Sequence, residues 1–350
     1  MKTIIKKVNG EKSDESIYAE AAQILKRGGL VAFPTETVYG LGGNGFDDRA
    51  AERIYMAKGR PSDNPLILHI SNIETLYKIV DNVPIKAEKL IGKFWPGPLT
   101  IIFGKGKDVP YKTTGGLDTV AVRMPNHLVA LSIIEASGLA IAAPSANISG
   151  RPSPTTADHV ILDLKDKVDM IIDGGDVGIG LESTIVDVTD EIPVILRPGY
   201  ITKNMLEEVV GEVLMDESLI AGVSEDMRPK APGMKYRHYA PKAELTIVEG
   251  PLAKVTEKIN QLAEEKMGNG YQVGIIATEE TKDIYKGKLV QVIGSRNNEL
   301  SIGKHLYGVL REFDRLGVNY IYSEAFSDEG FGQAIMNRLN KAAGYNVINL

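Results

Sequence analysis

From about residue 243 the chain alternates short apolar runs with longer amphipathic ones, and few patterns restrict a fold as tightly. Leu245 to Val248 reads as a strand, followed by a helix through Lys266, then Gln272 to Ala277, a short helix, Leu289 to Ile293, a helix through Leu316, Val318 to Tyr322 and a final helix. Parallel neighbours need a crossover packed on the sheet face, so this βαβαβα rhythm predicts a parallel sheet flanked by helices. Residues 243–350 are expected to form a smaller Rossmann-like domain of their own.

The chain before residue 213 keeps no such beat. Its β-like runs include Gly29 to Phe33, Leu66 to Ile70, Leu99 to Phe103, Thr119 to Arg123, Leu139 to Ala142 and Thr184 to Val188. Helix-like runs include Ser16 to Lys26, Ala50 to Ala57 and Pro84 to Phe94, the last with its proline at the tolerated first position. This irregular order suggests an α/β domain built on a twisted mixed sheet over residues 1–212. Two domains are also what 350 residues predict at roughly 150 per domain. Between them lies 213–242, where Arg228 to Lys242 holds five Lys or Arg, one His, three Pro and no acid. Two readings stay open for it: a proline-stiffened linker, or a lid whose Tyr and Arg side chains cover an anionic ligand.

Composition removes whole classes of chemistry. Cysteine is absent, so disulfides, thiolate zinc sites, iron–sulfur clusters and a cysteine nucleophile are excluded. Forty Lys plus Arg against forty-six Asp plus Glu leaves a net charge of −6, which argues against binding nucleic acid by bulk charge. The apolar start is only Thr3 to Ile5, far short of the roughly 7–15 residues of a signal peptide. The longest uncharged stretch, Ala136 to Gly150, is broken by Gly138 and Pro144, and a membrane span needs about 20 apolar residues. A cytoplasmic protein without a membrane partner is expected.

Familiar nucleotide and metal motifs fail on inspection. Gly40 to Gly45 fits G-x-G-x-x-G, yet Asp63, at the distance where a ribose-binding acid belongs, lies inside a loop, so the glycines are read as a turn with close backbone approach. There is no G-x-x-x-x-G-K-S/T and no G-x-S-x-G. The histidines His69, His127, His159, His238 and His305 show no metal spacing, and no metal site is expected.

Four polar clusters remain. Pro34-Thr35-Glu36-Thr37-Val38-Tyr39-Gly40-Leu41 places two hydroxyls and a carboxylate after a strand, suited to a small polar ligand. Lys58-Gly59-Arg60 closes a helix, where cations are favourable anyway, but the following Pro61-Ser62-Asp63-Asn64-Pro65 loop would also fix a guanidinium for bidentate phosphate contact. Ala143-Pro144-Ser145-Ala146-Asn147 consists of turn formers whose small side chains also let backbone N–H groups close on a phosphate. Leu181 to Asp187 precedes Arg197-Pro198-Gly199, and Arg123 ends a strand before Met124-Pro125.

Taken together, PTETVYGL, KGRPSDNPL, APSAN, STIVD, RPG and GMKYRHYAP, in this order, closely resemble the YrdC-like family of L-threonylcarbamoyl-AMP synthases, in its two-domain version. The resemblance covers essentially the whole chain, and no motif position carries a substitution suggesting lost activity. It implies a YrdC-like domain joined through the linker to the Rossmann-like one. It implies a nucleotidyltransferase that joins L-threonine, bicarbonate and ATP, with Mg²⁺ accompanying the nucleotide, into threonylcarbamoyl-AMP and pyrophosphate. That product would pass to a downstream tRNA threonylcarbamoyl transferase, and a weak contact with tRNA is compatible with it. By the same resemblance, Lys58, Arg60, Ser145 and Asn147 would surround the phosphates. Asn64, Thr119, Ser153, Arg197 and Tyr236 would add ATP contacts, while Thr37, His69, Arg123, the Ala143 backbone and Ser183 would hold threonine. An RNA-binding module is the alternative, disfavoured by the −6 and the lack of an RRM-like aromatic motif. A carbamoyltransferase of hydrogenase maturation would be expected to bring cysteine-rich zinc modules.

Overall fold

Runs such as Val31–Phe33, Ile67–His69 and Leu99–Phe103 bury both faces, which draws them into the middle of a single wide sheet. A computed structural model describes residues 2–10, 14–217, 219, 229–232, 238–285 and 289–350. Two compact units emerge: Met1–Ser149, Ser153–Gly178 and Glu182–Tyr236 in one, and Gly150–Pro152, Ile179–Leu181 and Arg237–Leu350 in the other.

Among the described residues of the first unit, eleven strands form the sheet: β1 (Ile4–Lys7), β2 (Val31–Phe33), β3 (Gly40–Asn44), β4 (Ile67–His69), β5 (Leu99–Gly104), β6 (Thr119–Arg123), β7 (Ile141–Ala142), β8 (Met170–Asp173), β9 (Thr184–Asp187), β10 (Val194–Arg197) and β11 (Leu214–Met215). Their order is β1-β8-β2-β3-β7-β4-β6-β5-β9-β10-β11, and parallel pairs such as β4–β6 and β5–β9 mix with antiparallel ones such as β5–β6 and β4–β7. The expected mixed sheet is therefore the observed one.

Side chains of a strand alternate between faces, and this sheet sorts them clearly. Leu68, Val120, Val122, Ile101, Phe103 and Val186 point into the main core. Their neighbours Ile67, Ala121, Ile102 and Ile185 gather on the opposite face in a small separate cluster. On that second face Thr119, Ala121 and Arg123 follow one another at the two-residue period, and His69 stands beside Arg123 in register.

Three expectations need correction. Gly40–Asn44 is a strand, not a turn. Its glycines are explained by crowding, since a Cβ on Gly42 would lie 2.6 Å from Phe33 Cε1 and 2.8 Å from Ile141 Cγ2. Close approach was rightly read, but residues without side chains give no strand signal. Pro84 is the N-cap residue of the helix Ile85–Phe94 rather than its first residue. In the second unit the alternation extends one strand further than read.

That unit holds β12 (Glu244–Glu249), β13 (Val273–Ala277), β14 (Leu289–Val292), β15 (Tyr320–Glu324) and β16 (Val347–Asn349), all parallel, in the order β14-β13-β15-β12-β16. Helices Leu252–Gly268, Glu299–Leu316 and Gly332–Ala343 make the crossovers. Val248, Val255, Ile259, Ile275 and Tyr322 build one side of its core. Tyr239, held at φ 63°, stacks on Tyr307 at 5.2 Å within this unit. Among the described residues, no helix is long and apolar enough to cross a membrane.

Candidate active site

The second face of the large sheet carries a polar rim around an apolar floor, the usual make-up of a small-molecule site. Ile67, Ile102, Ala121 and Ile185 form the floor. Ala231, from the described part of the 213–242 segment, packs against it at 0% exposure, and Pro232 O accepts from Arg197 Nη1 at 3.3 Å. Tyr236 lies outside the described residues.

On one side of the floor sits the group expected to hold threonine. Arg123 is buried and donates from Nη1 to Thr37 Oγ1 at 2.9 Å and from Nε to Gly97 O at 3.2 Å. Its Nη2 lies 2.6 Å from Glu36 Oε1. His69 is buried next to it, with Nδ1 3.2 Å from Ile67 O. Burial foremost, and then the Arg123 charge, push His69 down to about 3, so its imidazole is neutral at physiological pH. The Ala143 amide donates to Ile67 O at 2.9 Å, which fixes the start of the Pro144 loop against β4.

Across the floor, Ser183 is tied to two partners. Its hydroxyl lies 2.8 Å from Thr100 Oγ1, while Arg197 donates from Nε to Ser183 O at 3.0 Å and from Nη2 to Ser183 Oγ at 3.2 Å. Ser153 donates to the buried carboxylate of Glu182, at Oε1. Thr119 begins β6 on the face shared with Ala121 and Arg123 and is half-buried.

The remaining cations are fixed by loops. The helix Asp48–Lys58 starts at Asp47, whose side chain accepts from the Arg49 amide, and stops at Gly59 in the left-handed region at φ 60°. Lys58, 1% exposed, therefore ends the helix pointing inward, with Nζ hydrogen-bonded to Ser145 O, to Asn147 O at 2.6 Å and to Asn147 Oδ1 at 3.4 Å. Ser145 Oγ donates to Asn147 Oδ1 at 2.6 Å. The lysine thus fixes the backbone of the loop that carries Ser145 and Asn147. Arg60 is held by Asn64, Nη2 to Oδ1 at 2.5 Å, and by Pro65 O at 3.0 Å.

All predicted site residues that are described fall in the first unit. Thr37, His69 and Arg123 form one group, Ser183 and Arg197 a second, Lys58, Ser145 and Asn147 a third, and Arg60 with Asn64 a fourth. Sequence reasoning assigned no role to Thr100 or Glu182, and it noted Glu36 only as a carboxylate. Thr100 is hidden in an apolar run, while Glu36 and Glu182 stand inside quoted motifs and could have been singled out there.

Fixed cations, hydroxyls and amides around an apolar floor suit an anionic nucleotide and a small zwitterion, and comparison with known proteins agrees. A family model described as telomere recombination matches residues 23–199, and one described as threonylcarbamoyl-AMP synthase, C-terminal domain, matches residues 201–344. Threonylcarbamoyl-AMP synthase of Pyrococcus abyssi is 49% identical over 340 residues, covering 97% of this chain and 98% of the relative. The Bacillus subtilis protein of that name is 49% identical over 331 residues, covering 94% of each. The crystal structure of P. abyssi Sua5 complexed with L-threonine superposes with a TM-score of 0.94 at 48% identity, covering 99% of this chain and 100% of that one.

Proposed function

The chain belongs to the threonylcarbamoyl-AMP synthase family, and from that premise we propose that the polar-rimmed face of its first unit carries the reaction. The enzyme joins L-threonine, bicarbonate and ATP into L-threonylcarbamoyl-AMP with release of pyrophosphate, the first step in forming threonylcarbamoyl-adenosine in tRNA. In our reading Arg123, Thr37, neutral His69, Ser183 and the Ala143 backbone bind threonine. Arg60, Asn64, Thr119, Ser145, Ser153, Arg197 and Tyr236 contact ATP. Lys58 and Asn147 hold the Ser145 loop in shape against the phosphates.

The chemistry needs no protein nucleophile. The threonine ammonium and bicarbonate give a carbamate, water and one proton; a carbamate oxygen then attacks the α-phosphorus as the bond to pyrophosphate breaks. Negative charge grows on the non-bridging oxygens and the leaving group, and preorganised cations and donors stabilise it. A neutral His69 can exchange hydrogen bonds with the threonine hydroxyl without adding a charge that would compete for the carboxylate. Mg²⁺ fits as an ion brought in by the triphosphate, because among the described residues no group of three or more His, Asp or Glu side chains could hold a metal ion by itself. When bound it would neutralise phosphate charge.

Both carbamate and product are labile in water, so the segment carrying Ala231 acts as a lid that excludes solvent. We assign the reaction to the cytoplasm, with a tRNA threonylcarbamoyl transferase consuming the product. A weak direct contact with tRNA belongs to the same reading.

The observation that carries this assignment is the Arg123–Thr37–His69 group at one end of the floor with Arg197 and Ser183 at the other. Purified protein should release pyrophosphate from ATP only when L-threonine and bicarbonate are both present. Arg60→Ala should raise the ATP requirement and Arg123→Ala the threonine requirement. Release indifferent to threonine, or equal effects of both substitutions on both substrates, would overturn the reading.

A further inference from the structure

Glu36 is the acidic member of the group formed with Thr37, His69, Arg123 and His127, and the reaction as written gives it no task. Its side chain is 14% exposed and that of Arg123 5%, with Oε1 and Nη2 2.6 Å apart. The contact is close in charge but badly aligned, for neither Glu36 oxygen and not Arg123 Nη2 makes a hydrogen bond among the described residues. Ion pairs that serve only structure spend their lone pairs on well-directed donors, because buried acceptor capacity left unused is costly. His127 Nδ1 is likewise buried without a hydrogen bond. It is pushed down, chiefly by burial, with the Glu36 and Arg123 charges acting on it in opposite senses. The cluster therefore combines one positive charge, one negative charge and acceptor sites still to be used.

We propose that Glu36 is a positioning residue that receives the ammonium group of the amino-acid substrate, an inference that rests on the threonine assignment above. A substrate carboxylate delivered to Arg123 stands beside Glu36, and two carboxylates sharing one guanidinium in a buried site repel one another. An α-amino acid brings the remedy on the same carbon, since its ammonium arrives next to its carboxylate. Glu36, Arg123 and the zwitterion then sum to zero, and the unused oxygens of Glu36 gain a donor. Discrimination against acids that lack the amino group follows from this one pair. Conversion of the amine to carbamate removes the positive charge, after which Glu36 repels the new oxygens and turns them away from Arg123.

Calorimetric titration of the full-length protein, wild type and Glu36→Gln, with L-threonine and with 3-hydroxybutyrate, the same molecule without its amino group, tests this. Wild type should prefer threonine by about tenfold or more, the scale of a buried charge pair. In Glu36→Gln threonine affinity should fall by a similar factor, while 3-hydroxybutyrate binding holds or rises. A preference unchanged in Glu36→Gln, or equal losses for both ligands, overturns the proposal and leaves the reaction assignment standing. Pyrophosphate release independent of threonine in the wild type overturns the assignment and the proposal with it. Should Glu36→Gln fail to fold, Glu36→Asp keeps the charge and must keep the preference; losing it with the fold intact overturns the proposal.

Discussion

Arg123 reaches 86 positions back along the chain to donate to Thr37 Oγ1 at 2.9 Å. Thr35 Oγ1 donates to Val38 O at 2.7 Å, so the 2.8 Å contact between the two threonines has Thr37 as its donor. With its single hydrogen spent there, Thr37 can only accept from the guanidinium. Proton bookkeeping in this turn thereby sets the orientation of Arg123.

Replacing Thr37 with the near-isosteric Val removes that acceptor and leaves a buried guanidinium N–H short of a partner, while Thr35 Oγ1 keeps the Thr37 and Val38 amides as donors. A hydrogen bond to a charged group is worth about 1.5–3 kcal/mol. The KM for L-threonine in a pyrophosphate-release assay should rise by roughly tenfold or more, while the KM for ATP stays within about twofold. Thr37→Ser should restore most of the loss.

His69 makes stability depend on pH in one direction. Its folded-state value of about 3 lies below the ordinary 6.5, so between these limits the unfolded chain binds the proton and the folded one does not. Stability should fall as pH drops from 6.5 towards 3 and be insensitive to this group above 6.5. His127, also pushed down, adds in the same sense. Thermal melts of His69→Gln should show a shallower decline between pH 6.5 and pH 4 than wild type, and an unchanged slope would remove His69 as a source.

Gly42 gives a packing test. A methyl group there would meet Phe33 and Ile141 at under 3 Å, both fully buried. Overpacking of this kind costs about 1–3 kcal/mol. Gly42→Ala should lower the melting temperature, whereas Gly92→Ala, where nothing lies within 4 Å, should not.

The second unit was legible because its crossover helices alternate with apolar strands, the central ones, β13 and β15, largely buried on both faces, so period and order appear directly in the residues. The site face was half legible. Thr119, Ala121 and Arg123 announce a shared face by spacing alone, and the PTET, KGR and PSAN strings mark the loops around it. Partners were not legible. Glu36 with Arg123, or Lys58 with Asn147 across 89 positions, follow from sheet order, and local spacing carries no trace of that order. β3 and β16 escaped for simpler reasons: the first is mostly glycine, and the second is three residues long.

The environment of Lys58 has a consequence for survival in the enzyme's own chemistry. An adenylate that transfers a carbamoyl group is an acylating reagent, and the side chains it would label first are thiolates and neutral amines. The chain has no thiol. Its buried Lys58 turns Nζ towards three acceptor oxygens, Ser145 O, Asn147 O and Asn147 Oδ1. The bracket that holds the Ser145 loop is thereby also an amine already committed to oxygen partners, beside a site that manufactures an electrophile.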